Sequence, residues 1–157
     1  MHPSTRPLPT DRLAVGQVLV RLLQRFRKEV FAAAAEHGVT DLREAHLQVF
    51  GNVGVDGVRL TALAARAQLS LAACAELVDD LQRKGYLERR PDPADGRAKL
   101  IVPTAQGRRV LALAGERVAE IETAWGDRVG PEEFEHAMRV LDRLVVALDE
   151  DRGGRDR

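Results

Sequence analysis

Residues 83–109 hold Arg83, Lys84, Arg89, Arg90, Arg97, Lys99, Arg108 and Arg109 against Glu88, Asp92 and Asp95, a surplus of five positive charges in a chain of formal net charge zero. The remainder is acidic by the same amount. One basic segment on an otherwise acidic chain is a candidate anion-binding surface, and charge alone leaves open a solvated face laced with salt bridges. Just before it lies QLSLAACAELVDDLQRKG, residues 68–85. Ser70 has the chemistry of an N-cap, because its hydroxyl accepts a first-turn N–H. Gly85 has that of a helix stop, because glycine takes the left-handed conformation that closes a helix. Between them stand Leu71, Ala72, Ala73, Cys74, Ala75 and Glu76, small apolar side chains and one carboxylate.

Other reactive residue types form no pattern that points to catalysis. Cys74 is the single cysteine, which excludes an intramolecular disulfide and fits a reducing compartment. It groups with Leu77, Val78 and Leu81 at i+3, i+4 and i+7, so it is expected in the core as a small hydrophobe. Redox sensing would need an exposed, low-pKa thiolate with a resolving partner. His2, His37, His46 and His136 are scattered, without metal-ligand spacing. His46 beside Trp125 in a pocket is one reading, and a structural histidine is the favoured one. No Gly-rich phosphate loop, nucleophile elbow or paired-carboxylate motif occurs, so no enzymatic activity and no cofactor are expected.

The elements that must position the basic segment are mostly helical. Aromatics are scarce at 4 %, and Ala, Leu, Val and Arg are abundant, which favours helices over a β-sandwich. Asp11 is the expected cap of a long helix ending near His37 and Gly38, with Leu19, Leu22, Leu23, Phe26 and Val30 as its apolar stripe. Asp41 and Glu44 have capping-box spacing for a second helix, with Leu47, Phe50 and Val53 on its buried side. After a loop and a few extended residues, Thr61 is the expected cap of a short helix. A turn at Gln68-Leu69-Ser70 leads to the helix described above, giving a helix-turn-helix. Two strands follow, 86–90 and 98–102, around Pro91, Asp92, Pro93, Asp95 and Gly96, with Asp-Gly at the tip. A helix-turn-helix followed directly by a basic hairpin is a winged helix. Thr104 caps a long helix of about 22 residues, ~33 Å at 1.5 Å per residue. Pro131 suits the first turn of the last helix, whose seam is Phe134, Met138, Leu141, Leu144, Val145 and Leu148.

The expected layout is an N-terminal arm, 1–10, a single winged-helix domain, 11–150, and a disordered tail, 151–157. Within the domain, 41–103 form the basic lobe and 11–37 with 104–150 the remaining helices. The start, MHPSTRPLPTDR, lacks the apolar core of a signal peptide, and no run approaches the roughly 20 apolar residues of a membrane span. The expected location is the cytoplasm, with no membrane partner.

The run from LTALAARAQLS through LVDDLQRKGYLERRPDPADGRAKLIVPTAQGRR resembles the multiple-antibiotic-resistance regulator (MarR) family of bacterial transcription factors. The resemblance spans nearly the whole chain and is densest at GYLERRPDPxDxRAK followed by TxxGR. It implies a mostly α fold of about six helices with a two-stranded β-wing. It also implies a homodimer whose first and last helices interlock, through Leu19, Leu22, Phe134, Met138, Leu141, Leu144, Val145 and Leu148. Double-stranded DNA is then the partner, read as a pseudo-palindrome with half-sites about one turn, ~34 Å, apart. Many relatives bind small anionic or phenolic molecules, so a small-molecule effector is a further expected partner.

Carried over by position, Arg97 matches the wing arginine that enters the minor groove, where a guanidinium meets deep negative potential. Asp95 matches the wing aspartate and is expected to pair with Arg97, while Gly96 replaces a second basic residue. Arg89, Arg90 and Lys99 are expected phosphate contacts, and Thr61 lies at a helix start suited to a phosphate. Gln68 and Ser70 are the polar readers, with Ala72 and Ala73 against the major-groove floor. Relatives often carry Arg, Lys, Gln, Ser or Thr across 71–76, whereas alanines cannot make the bidentate bonds that distinguish base pairs. Glu76 and Asp80 add negative charge to the same helix. Two readings stay open: a repressor that binds chiefly through wing, backbone and DNA shape, or a ligand- or protein-binding module whose DNA surface has decayed.

Overall fold

The computed structural model describes residues 8–153, so most of the expected arm and tail, and His2, lie outside the described residues. Six helices and one hairpin follow in the order α1 (Val15–Glu36), α2 (Glu44–Phe50), α3 (Leu60–Arg66), α4 (Leu71–Arg83), β1 (Leu87–Asp92), β2 (Asp95–Pro103), α5 (Ala105–Val129) and α6 (Pro131–Gly153). This is the mostly helical winged helix-turn-helix expected from the sequence. The chain divides into two compact units at Gly115, inside α5, rather than at the expected change of role near residue 104. The reason is local, because Val110 and Leu111 of α5 pack with the core of the first unit.

In that first unit the core gathers Val49, Phe50, Val53, Val58, Leu63, Ala64, Cys74, Val78, Leu81, Tyr86, Leu87 and Ile101. Every element from α2 to α5 contributes, so the core sets the angles between them. Tyr86 sits centrally, edge-on to Phe50 with ring centroids 6.0 Å apart. Its hydroxyl donates to Asp41 Oδ1 at 2.6 Å. Burial first, then that hydrogen bond and the carboxylate's charge, push the phenol up to about 12. The wing sheet gains a third short edge where Val58 and Ile101 exchange N–H···O bonds of 3.0 and 2.8 Å.

Four terminal signals act as the sequence indicates. Ser70 Oγ accepts the Ala73 N–H at 3.1 Å, Gly85 closes α4 at φ 83°, and Pro131 opens α6. Thr104 Oγ accepts the Gly107 N–H at 3.0 Å. It also donates to the Gly85 carbonyl at 2.6 Å, tying the end of α4 to the start of α5. Gly107 is required there, since a Cβ would lie 2.0 Å from the Tyr86 carbonyl oxygen.

Three expected caps are replaced. Helix α1 starts at Val15, not near Asp11, and the Ala14 N–H is satisfied by Gln17 Oε1 at 3.0 Å. Helix α2 is capped through Arg43, whose N–H donates to His46 Nδ1 at 2.8 Å, because Asp41 is engaged by Tyr86. Helix α3 begins at Leu60 with Arg59 preceding it, so Thr61 lies exposed in the first turn and caps nothing. The bridge at Val58 fixes the chain just ahead of that start.

In the second unit α5 finishes at Val129, Gly130 turns at φ 106°, and α6 follows. Ile121 is buried and Phe134 half-buried, but Met138, Leu141, Leu144, Val145 and Leu148 are all 40–58 % exposed. On α1, in the other unit, Leu19 and Leu22 are exposed as well, at 52 and 45 %. Both helices thus carry apolar faces that the described chain leaves open.

Candidate nucleic-acid interface

The corner between α3 and α4 is closed by Gln68, the one described non-glycine residue at positive φ, 57°. Leu69 N–H reaches back to the Ala64 carbonyl at 2.9 Å, a six-residue closure that ends α3 as glycine ends other helices. Ser70 then caps α4, whose 13 residues span ~20 Å. One side of α4 is anchored by Cys74, Val78 and Leu81, all within 1 % of full burial. Burial raises the Cys74 thiol above its ordinary range, which suits an inert core residue. Opposite, at i, i+4, i+7 and i+11, Ala72, Glu76, Asp79 and Arg83 form the exposed face, with Leu71 51 % exposed beside them.

Of the three acids on α4, two are neutralised. Asp80 does not share the outer face. Its Oδ2 lies 2.6 Å from His46 Nε2 and 3.6 Å from Arg43, and its Oδ1 lies 3.2 Å from Arg83 and 3.6 Å from Lys84. The hydrogen bond from His46, then the charges of Lys84 and Arg83, hold its carboxyl below the usual range despite some burial. His46 is fully buried, with Nδ1 accepting from Arg43 and Nε2 facing Asp80, which fixes the Nε2–H tautomer and a structural role. Asp79 is held by Arg89 at 2.7 Å. Glu76 has no hydrogen bond or ion pair among the described residues.

The wing departs from expectation at its tip. Pairing runs from Leu87↔Pro103 to Pro91↔Lys99 and then jumps to Asp92↔Asp95. The reversal therefore lies at Pro93-Ala94, not at Asp95-Gly96, and Gly96, Arg97 and Ala98 form a bulge facing no partner. Two aspartates set this. Asp92 Oδ1 accepts the Ala94 N–H at 2.9 Å, and Asp95 Oδ1 accepts the Arg97 N–H at 3.1 Å. Asp95 thus fixes the Arg97 backbone instead of pairing with its side chain. Asp92 is buried, and its Oδ2 receives Arg59 at 2.8 Å from Nε and 2.6 Å from the terminal nitrogen. The Ala94 hydrogen bond and then Arg59 keep its carboxyl low. Arg59 joins the wing to the start of α3, and the sequence reading missed it because its partner lies 33 residues away.

The expected phosphate contacts divide sharply. Arg89 is half-buried and committed to Asp79 and Gln82. Arg90 pairs with Glu88 on its own strand. Arg97 and Lys99 are exposed and, among the described residues, have no ion pair. Thr61, Gln68, Ser70, Ala72, Arg90, Asp95, Arg97 and Lys99 are all exposed in the first unit, and Ala73 is half-buried. Among the described residues no cluster could hold a metal ion, and no helix is long and apolar enough to cross a membrane.

Comparison with known proteins agrees with this fold. The MarR family matches residues 37–98, from the end of α1 to the wing. The transcriptional regulator HosA of Escherichia coli O111:H- is 27 % identical over 128 residues, covering 81 % of this chain and 93 % of its own. An uncharacterised protein of Mycobacterium tuberculosis is 29 % identical over 134 residues, 85 % of this chain and 90 % of its own. Among solved structures, the transcriptional repressor CouR bound to a 23-mer DNA duplex superposes with TM-score 0.67 at 22 % identity, covering 89 % of this chain and 99 % of that one. Wild-type apo MarR from E. coli gives 0.64 at 18 %, covering 85 and 98 %.

Proposed function

We propose that this chain is a MarR-family winged helix-turn-helix transcriptional regulator that represses by binding a pseudo-palindromic operator as a homodimer. The observation that carries the reading is the pair of uncommitted cations, Arg97 and Lys99, on a wing whose bulge is fixed by Asp95 and whose root is fixed by Arg59 and Asp92. Arg97 enters the minor groove, Lys99 meets a phosphate, and α4 lies in the major groove between the two wing contacts. The exposed apolar faces of α1 and α6 support the dimer, and CouR, similar in fold, was solved on a duplex. A small-molecule effector acts by favouring a different spacing of the two DNA-binding lobes. The protein works in the cytoplasm.

The test is fluorescence anisotropy of the full chain with its own upstream duplex and a scrambled duplex, across a salt series, beside Arg97→Ala. Preference for the native duplex, weakened by the variant, is expected. Equal binding to both with a steep salt slope reduces the activity to electrostatic attachment. No binding at low salt overturns the reading.

A further inference from the structure

We propose that Glu76 is a base-reading residue that selects cytosine in each half-site, an inference that rests on the DNA-binding reading above. Glu76 lies opposite the buried Cys74–Val78–Leu81 side of α4, six residues past the Ser70 cap, on the face that points most directly away from the core. It is also the one acid of α4 without a partner among the described residues, since Asp79 is held by Arg89 and Asp80 by His46 and three cations. A free carboxylate brought into a groove lined by phosphates is repelled unless it accepts a hydrogen bond from a base.

The choice of base follows from groove chemistry. Guanine shows N7 and O6, and thymine shows O4, all acceptors that repel a carboxylate. Adenine offers the N6 amino group but sets the acceptor N7 beside it. Cytosine N4 has the C5–H edge on one side and only its paired guanine's O6 on the other, whereas adenine N6 is flanked by acceptors on both sides, so cytosine is the base that a carboxylate satisfies best. One turn earlier on the same face, about 6 Å away, stands Ala72, next to the exposed Leu71. Their methyl groups fit a thymine C5 methyl one to two base pairs from the cytosine, at about 3.4 Å per step. A helix that looks stripped of readers thus has one polar reader and an apolar pair beside it.

The experiment is selection of duplexes from a randomised library by the full chain and by Glu76→Ala and Glu76→Gln, followed by anisotropy on the selected duplex and its single-pair variants. Glu76 is exposed and makes no hydrogen bond or ion pair among the described residues, so both variants should keep the wild-type melting curve. The wild type should fix a C·G pair in each half-site, with replacement costing roughly 5- to 150-fold in affinity. Glu76→Ala should lose that preference and keep the rest of the motif. Glu76→Gln should move it to adenine, whose N6 and N7 suit an amide. An unchanged motif in both variants overturns the inference and leaves the DNA-binding reading standing. So does uniform tightening of Glu76→Ala on every duplex, which would show simple phosphate repulsion. If the wild type enriches no duplex, the DNA-binding reading falls and this inference with it.

Discussion

Replacing Arg97, Lys99 and Arg89 one at a time by alanine separates the cations that are free to meet DNA from those that are merely numerous. The sequence counts all three on the wing. In the structure Arg89 is bound to Asp79 and Gln82, while Arg97 and Lys99 are exposed and unpaired among the described residues. Each phosphate neutralised contributes about −0.9 to the slope of log K against log salt. A homodimer carries two copies of every side chain, so Arg97→Ala and Lys99→Ala should each make the slope shallower by about 1.8. Arg89→Ala should leave it nearly unchanged, because an arginine already paired releases few further counterions. The two free cations should also differ from each other. Lys99→Ala should weaken all duplexes alike, and Arg97→Ala should weaken those with a narrow A·T-rich minor groove most. Anisotropy titrations at four or five salt concentrations read all of this. A slope change for Arg89→Ala as large as that for Arg97→Ala would refute the argument, since it would mean the Asp79 pair opens on binding.

Three further outcomes follow from the fold. Tyr86 is the chain's one tyrosine, so tyrosinate absorbance reports it alone. Its folded-state pKa is raised to about 12 from 10.0, so the stability it contributes is complete below about pH 10 and lost as pH rises through 12. Urea midpoints of the wild type should fall across that window. Tyr86→Phe should show a flatter alkaline limb, with a loss of about 1 kcal/mol at neutral pH from the missing hydrogen bond. Gly107→Ala should lower the melting temperature sharply, by the equivalent of about 3 kcal/mol for overpacking against backbone, and an unchanged melting curve would contradict the 2.0 Å approach. For the homodimer proposed above, Leu141→Asp with Leu144→Asp should give monomers in sedimentation experiments without altering helix content, whereas a dimer that persists would show that α6 is not its interface.

What the sequence made legible were signals read within a few residues of themselves. Ser70, Gly85, Thr104 and Pro131 cap or open helices in the structure because a cap needs only its own first or last turn. Cys74 was placed in the core by its spacing, and it is fully buried. Expectations failed where another group competed for the same atom. Asp41 was free to cap α2 until Tyr86, 45 residues away, took its carboxylate. Asp95 was free to pair with Arg97 until the wing's own backbone claimed it. Asp80 read as a repulsive charge facing DNA, whereas it is turned toward His46, Arg43, Arg83 and Lys84. Charge is visible in a sequence, but whether a charge is already paired depends on the fold. Glu76 stands out only after its two acidic neighbours on α4 are removed from the account.

The Thr104 hydroxyl bears on how the reading helix can move. Its one oxygen holds the Gly85 carbonyl, just past α4, and a free N–H in the first turn of α5 together, while the Gly107 backbone rests directly against Tyr86. The C-terminal end of α4 is therefore a fixed joint, and swinging it away from α5 would break the Thr104 hydroxyl bond to Gly85 and the 3.0 Å bond from the Thr104 N–H to the Tyr86 carbonyl, and open that close contact. At the other end the chain turns at Gln68, a residue held in a conformation that costs it roughly 1–2 kcal/mol. A tilt of α4 is accordingly pivoted at its tail and is widest at Leu71, Ala72 and Glu76, the residues proposed above to meet the bases.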